Sequence, residues 1–129
     1  MAKRNLPKPT EAELAILTVL WQKGPSTVRQ VHEALKDERQ TGYTTILKLM
    51  QIMHEKGLVL RDESARTHVY QARLSEQQTQ RQLAGDLLER AFGGSALKMV
   101  VQTLSAKRAS PEELGQIRKL LSEMERGEA

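Results

Sequence analysis

Residues 42–70, GYTTILKLMQIMHEKGLVLRDESARTHVY, constrain the fold of this chain more than any other stretch. Ile46, Leu49, Met50 and Met53 recur at the i, i+3, i+4, i+7 spacing of a helix with one buried face. At about 100° per residue, the opposite face carries Thr44, Lys48, Gln51 and Glu55, flanked by Thr45 and Leu47. Gly57 supplies the helix stop after Lys56. Leu58-Val59-Leu60 and His68-Val69-Tyr70 then bring the β-branched and aromatic residues of paired strands, joined by a charged, polar turn. A polar-faced helix followed by a basic-tipped hairpin is the layout of a winged helix-turn-helix, whose helix enters the major groove while the hairpin lies along the backbone. An ordinary helix-plus-hairpin core element has the same local pattern, so the flanking sequence must separate the two.

Upstream, Thr10 and Glu13 form a T-x-x-E capping box, followed by an apolar stripe of Ile16, Leu17, Leu20 and Trp21 that ends at Gly24-Pro25. Thr27 and Gln30 form a second box, opening a short helix with Val28, Val31 and Leu35 inward. Gln40-Thr41-Gly42 turns into the third helix. Residues 1–73 therefore run helix, helix, helix, hairpin, the order a winged-helix domain requires. Charge points the same way. Residues 1–73 hold 12 Lys and Arg against 8 Asp and Glu, whereas residues 74–129 hold 8 against 8, so the whole net charge of +4 resides in the first part. A basic half beside a neutral half suits a nucleic-acid module joined to something else.

From Ser75 the character changes. Ser75 with Gln78 caps a helix carrying Leu83, Leu87, Leu88 and Phe92, and Gly93-Gly94 breaks it. Ser95 caps a second helix with Leu97, Val100, Val101 and Leu104. Ser105–Ala109 reads as a basic linker, and Ser110-Pro111-Glu112-Glu113 opens a last helix striped by Leu114, Ile117, Leu120, Leu121 and Met124. Three short amphipathic helices bury little by themselves, and pairing with a second copy would cover their stripes. The fold expected is mainly α: a winged helix-turn-helix at 1–73 (three helices plus a hairpin wing) and a three-helix dimerisation domain at 74–129. The dimerisation set is Leu83, Leu87, Leu88, Leu97, Val101, Leu114, Ile117, Leu120, Leu121 and Met124. Folding of these helices onto the first domain is the alternative.

Catalytic patterns are lacking. His32-Glu33 begins like H-E-x-x-H, but Lys36 stands where the second histidine must be. The chain has no cysteine, which excludes disulfides, thiolate metal sites and a thiol nucleophile. Ser26 and Ser64 have no base in a recognisable arrangement, and Gly93-Gly94 lacks the strand-to-helix context of a phosphate loop. No enzyme activity, cofactor or metal is expected. No stretch nears 18 consecutive apolar residues and the first ten lack a secretory run, so a soluble cytoplasmic protein without membrane insertion is expected.

The segments PTEAELAILTVLWQKGPSTVRQVHEAL at 9–35, YTTILKLMQIMHEKGLV at 43–59, RTHVY at 66–70 and SPEELGQIRKLL at 110–121 resemble the BlaI/MecI-type penicillinase repressor family, which also includes CopY-type regulators. The resemblance implies a winged-helix DNA-binding domain, a helical dimerisation domain, and repression by occupying a palindromic double-stranded operator as a homodimer. It also implies release through a membrane-bound sensor metalloprotease that triggers cleavage in the dimerisation domain. Three positions depart from the family pattern. Ile52 stands where many relatives have Arg, and Ala65-Arg66 replaces the Gly-Arg that opens the wing. Gln102-Thr103 occupies the usual Asn-Phe cleavage position. Copper sensing through C-terminal cysteines is excluded.

Within this frame Thr44, Thr45 and Lys48 face base edges or nearby phosphates, and Gln51 has the amide geometry to read adenine. Arg66 and His68 on the wing, with Arg61 at its base, are placed for phosphates. Thr27 and Arg29 open the second helix, whose N-terminal N–H groups suit a phosphate. Tyr43 either donates to a phosphate or packs, and Leu47 either meets a thymine methyl or seals the helix. Two other readings stay open: a winged-helix protein-interaction module, and a small-molecule-sensing winged-helix regulator with a pocket between domains.

Overall fold

The computed structural model describes residues 7–128. Among them are six helices and one two-stranded antiparallel sheet: α1 (Glu11–Lys23), α2 (Val28–Arg39), α3 (Tyr43–Lys56), β1 (Val59–Asp62), β2 (Val69–Ala72), α4 (Glu76–Phe92), α5 (Ala96–Ala106) and α6 (Pro111–Glu125). The chain divides into two compact units, Met1–Ala84 and Gly85–Ala129, which meet inside α4.

In the first unit the local signals act as written in the sequence. Thr10 and Thr27 each accept from the N–H three residues on, while Glu13 and Gln30 accept from the cap N–H in return. These boxes satisfy donors that a helix start otherwise leaves bare. Apolar faces of α1 (Ile16, Leu17, Leu20), α2 (Val31, Leu35) and α3 (Ile46, Met50, Met53) then close on one core with Val59 and Tyr70 of the hairpin. Trp21 lies at the core edge, where its indole N–H donates to the Leu74 carbonyl at 3.0 Å. The indole thus ties the end of α1 to the segment that leaves β2. The start of α4 belongs to this unit too, with Thr79 buried and the Gln82 amide donating to the Pro7 carbonyl.

The strands begin one residue later than their apolar runs. Leu58 remains with the helix stop, its N–H donating to the Met53 carbonyl at 2.9 Å, and β1 continues through Arg61 to Asp62. Val59 pairs with Ala72 and Asp62 with Val69. A third backbone segment joins this ladder. Ser26, in the α1–α2 connection, exchanges both hydrogen bonds with Tyr70, at 2.9 and 2.8 Å.

Glu13 is 2% exposed yet charged, and its second oxygen pairs with Lys56 Nζ at 2.8 Å, at the end of α3. Burial pushes this carboxyl up. Lys56 and the Thr10 N–H outweigh that and hold it below its ordinary value of 4.5. The contact therefore clamps the end of α3 to the start of α1. Glu13→Ala is expected to cost the first unit about 2 kcal/mol, because it removes a cap and a buried charged hydrogen bond together. For Glu13→Gln the deficit should be full above the unfolded carboxylate pKa and vanish as pH falls through the lower folded one. Urea melts at several pH values check both.

In the second unit, Gly93 and Gly94 both take positive φ, ending α4, and Ser95 caps α5 by accepting from the Lys98 N–H. The expected linker at 105–109 is shorter than its polar composition suggests. Ser105 and Ala106 complete α5, and the break comes at Lys107, whose N–H closes on the Thr103 carbonyl. Small Ala and Ser side chains do not stop a helix whose carbonyl is still being met. Gln102 and Thr103 consequently lie on helix α5. Ser110 caps α6 with Pro111 at its first position. Neither α5 nor α6 has a buried residue. Leu97 is 74% exposed, Leu121 54% and Leu120 47%, and Leu87, Val101, Leu114 and Met124 are exposed as well. Leu83, Leu88 and Ile117 are half-buried.

Candidate nucleic-acid interface

A cleft of about 530 Å³ opens between the N-terminus of α2, one flank of α3 and the hairpin. Tyr43, Leu47 and Gln51 line it from α3. They form one i, i+4, i+8 row, adjacent to the buried Ile46–Met50–Met53 face. Arg66, Thr67 and His68 close it from the wing, and Thr27, Val28 and Arg29 from α2. Six residues picked from sequence for backbone or base contact (Thr27, Arg29, Tyr43, Gln51, Arg66, His68) thus share one concavity.

Thr44, Thr45 and Lys48 do not line it. They are exposed on the next faces of α3. Arg61 is placed differently again. It lines a groove with Pro25, Leu60 and Asp62 and is engaged by Glu63, with Nε 2.7 Å and a terminal nitrogen 2.6 Å from one carboxylate oxygen. The cross-strand Tyr70 side chain and this bond to Glu63 both raise the Arg61 pKa. Asp62 caps the wing turn by accepting from the Ser64 N–H at 2.9 Å.

The Thr27 capping box engages the N–H groups of Thr27 and Gln30, leaving those of Val28 and Arg29 to face outward at the start of α2. Arg29 makes no ion pair among the described residues, and neither do Lys48 and Arg66. Its guanidinium carbon stands 5.8 Å from the centre of the Tyr43 ring, and His32 meets the same ring edge-on at 6.0 Å. Sequence reasoning set His32 aside as a broken zinc motif and passed over Thr67. The signal for His32 was its i, i+3 spacing from Arg29, which puts both on one flank of α2.

A family model described as penicillinase repressor matches residues 9–123. The transcriptional regulator BlaI of Mycobacterium tuberculosis is 34% identical over 119 residues, covering 91% of this chain and 85% of that protein. This chain belongs to the penicillinase repressor family. Another relative, the penicillinase repressor of Bacillus licheniformis, is 22% identical over 93% of this chain and 94% of its own length. The fold agrees with that membership. A solution structure of the DNA-binding domain of the repressor BlaI superposes with a TM-score of 0.50 at 22% identity, covering 57% of this chain and 90% of that domain. Ile52 is half-buried on α3.

Proposed function

We infer that this member of the penicillinase repressor family is a transcriptional repressor that binds a palindromic double-stranded operator as a homodimer. The observation that carries this reading is the cleft, where Arg29 and Arg66, from different elements and without an ion pair among the described residues, flank the recognition helix. On this reading α3 enters the major groove with Thr44, Thr45 and Lys48 toward bases and adjacent phosphates, and Gln51 within reach of an adenine edge. Arg29 and Arg66 hold the backbone on either side, with Thr27, Tyr43 and His68 beside them. Arg61 contributes by bracing the wing through Glu63, and meets a phosphate only by giving up that partner.

Residues 1–73 carry the DNA-reading surface and residues 74–129 the dimer contacts in this reading. The apolar side chains left exposed on α4, α5 and α6 support it, since patches of that kind mark interaction surfaces. The reading includes no catalytic step and no cofactor. It places the protein in the cytoplasm with DNA, and among the described residues no helix is long and apolar enough to cross a membrane. Release by a membrane-bound sensor metalloprotease fits the family. A cut at Gln102–Thr103 would first require α5 to unwind, whereas Lys107–Ala109 already lies outside the helices.

Selection of bound duplexes from random-sequence DNA tests the reading. An inverted repeat with half-sites roughly one helical turn apart is expected, and failure to enrich any duplex would overturn it. On the selected duplex, Arg66→Ala should weaken all sequences about equally, whereas Lys48→Ala should narrow the gap between selected and unrelated DNA. Equal effects of both variants on discrimination would exclude Lys48 from base contact.

A further inference from the structure

We infer that His32 is a positioning residue for DNA binding, acting through the Tyr43 ring to aim the Arg29 guanidinium into the cleft. The inference rests on the operator-binding reading above and deepens it. Arg29 and His32 lie three residues apart on α2, so one flank of that helix presents both toward α3. Each meets the ring of Tyr43, the first residue of α3: Arg29 over it at 5.8 Å, His32 edge-on at 6.0 Å with the planes at 85°. Arg29 and Tyr43 line the cleft, and His32 is outside its lining. His32 meets the ring without lining the cleft, so the effect proposed for it runs through Tyr43.

The ring matters because Arg29 makes no ion pair among the described residues: the Glu33 carboxylate one turn on attracts it only at longer range and is itself held by Lys36 at 2.9 Å. A long side chain without a partner samples many rotamers, and ordering it on binding lowers affinity. The π face of Tyr43 offers the guanidinium a resting place that leaves its N–H groups free, which an ion pair does not. Tyr43 is itself 41% exposed, so core packing alone does not fix its ring. His32 supplies the missing wall. In this arrangement it is the Tyr43 ring, not its hydroxyl, that positions Arg29.

Binding of the full-length dimer to a duplex selected by the wild-type protein tests the inference, with thermal melts run in parallel. His32→Ala should weaken binding roughly three- to tenfold when both half-sites lose the prop, with little change in melting temperature. His32→Phe, which restores an aromatic edge, should recover most of the loss. Tyr43→Phe, which keeps the ring, should bind better than Tyr43→Ala, and in an Arg29→Ala background His32→Ala should have no further effect. The inference is overturned if His32→Ala binds normally, if its loss persists undiminished without Arg29, or if Tyr43→Phe binds as poorly as Tyr43→Ala. If His32→Ala proves unstable, His32→Gln, which keeps polar bulk without a ring, takes its place in the same comparisons. Failure of the wild-type protein to select any duplex would instead remove the operator-binding reading, and this inference with it.

Discussion

Raising salt from about 50 to 200 mM is expected to weaken operator binding by roughly three orders of magnitude. The magnitude follows from which cations are available. Arg29, Lys48 and Arg66 are exposed and make no ion pair among the described residues, whereas Arg61 is held by Glu63 and Lys56 by Glu13. Three such cations per protomer give about six phosphate contacts in a dimer, hence a slope of log K against log salt of about −5. Arg66→Ala removes one contact from each half and should flatten the slope by about two. Fluorescence anisotropy across a salt series measures both. A flat response in the wild type would mean that charge does not hold this protein on DNA.

Leu120→Glu and Leu121→Glu in α6 are expected to break the dimer and lower operator affinity by roughly two to four orders of magnitude. Both side chains are about half exposed in a single chain, so a carboxylate at either position is harmless to the monomer fold. In a dimer the same carboxylate would be buried without a partner, a large penalty that dissociation relieves. Each released protomer keeps an intact reading surface but holds only one half-site, losing the effective concentration that linkage provides. Sedimentation should show the mass halve while the circular dichroism of the first unit is retained. Dimeric variants with wild-type affinity would move the interface away from α6.

Legibility from sequence followed the range of each interaction. Capping boxes at Thr10–Glu13 and Thr27–Gln30 span three residues, and both were readable directly. The helical period likewise identified the buried face of α3 from Ile46, Met50 and Met53. Contacts that join distant segments were not readable. Glu13 was visible as a cap, but nothing local announces that Lys56, on another helix, completes its hydrogen bonding. Periodicity also tells which way a side chain faces without telling what faces it. Tyr43 and Gln51 are brought into a cleft with Arg66, while Lys48, one face further round, is not. Arg61 shows the same limit. Its charge suggested a phosphate, but the nearby Glu63 claims it first. The linker after α5 was overdrawn because composition marks polar residues, whereas a helix ends where its last carbonyls are met.

The paired hydrogen bonds between Ser26 and Tyr70 change what kind of object the wing is. An isolated two-stranded ribbon is marginal in water and would flicker open independently of its domain. Here Tyr70 is buried in the core and its backbone is also stitched to the α1–α2 connection, so the root of the ribbon opens only when the core does. Motion is left to the tip around Glu63–Thr67, beyond the last paired residues. The distance between the root of the wing and the recognition helix is therefore an inherited property of the core. On the operator-binding reading, adjustment to a duplex falls to the short tip that carries Arg66 and Thr67, on a base that stays put.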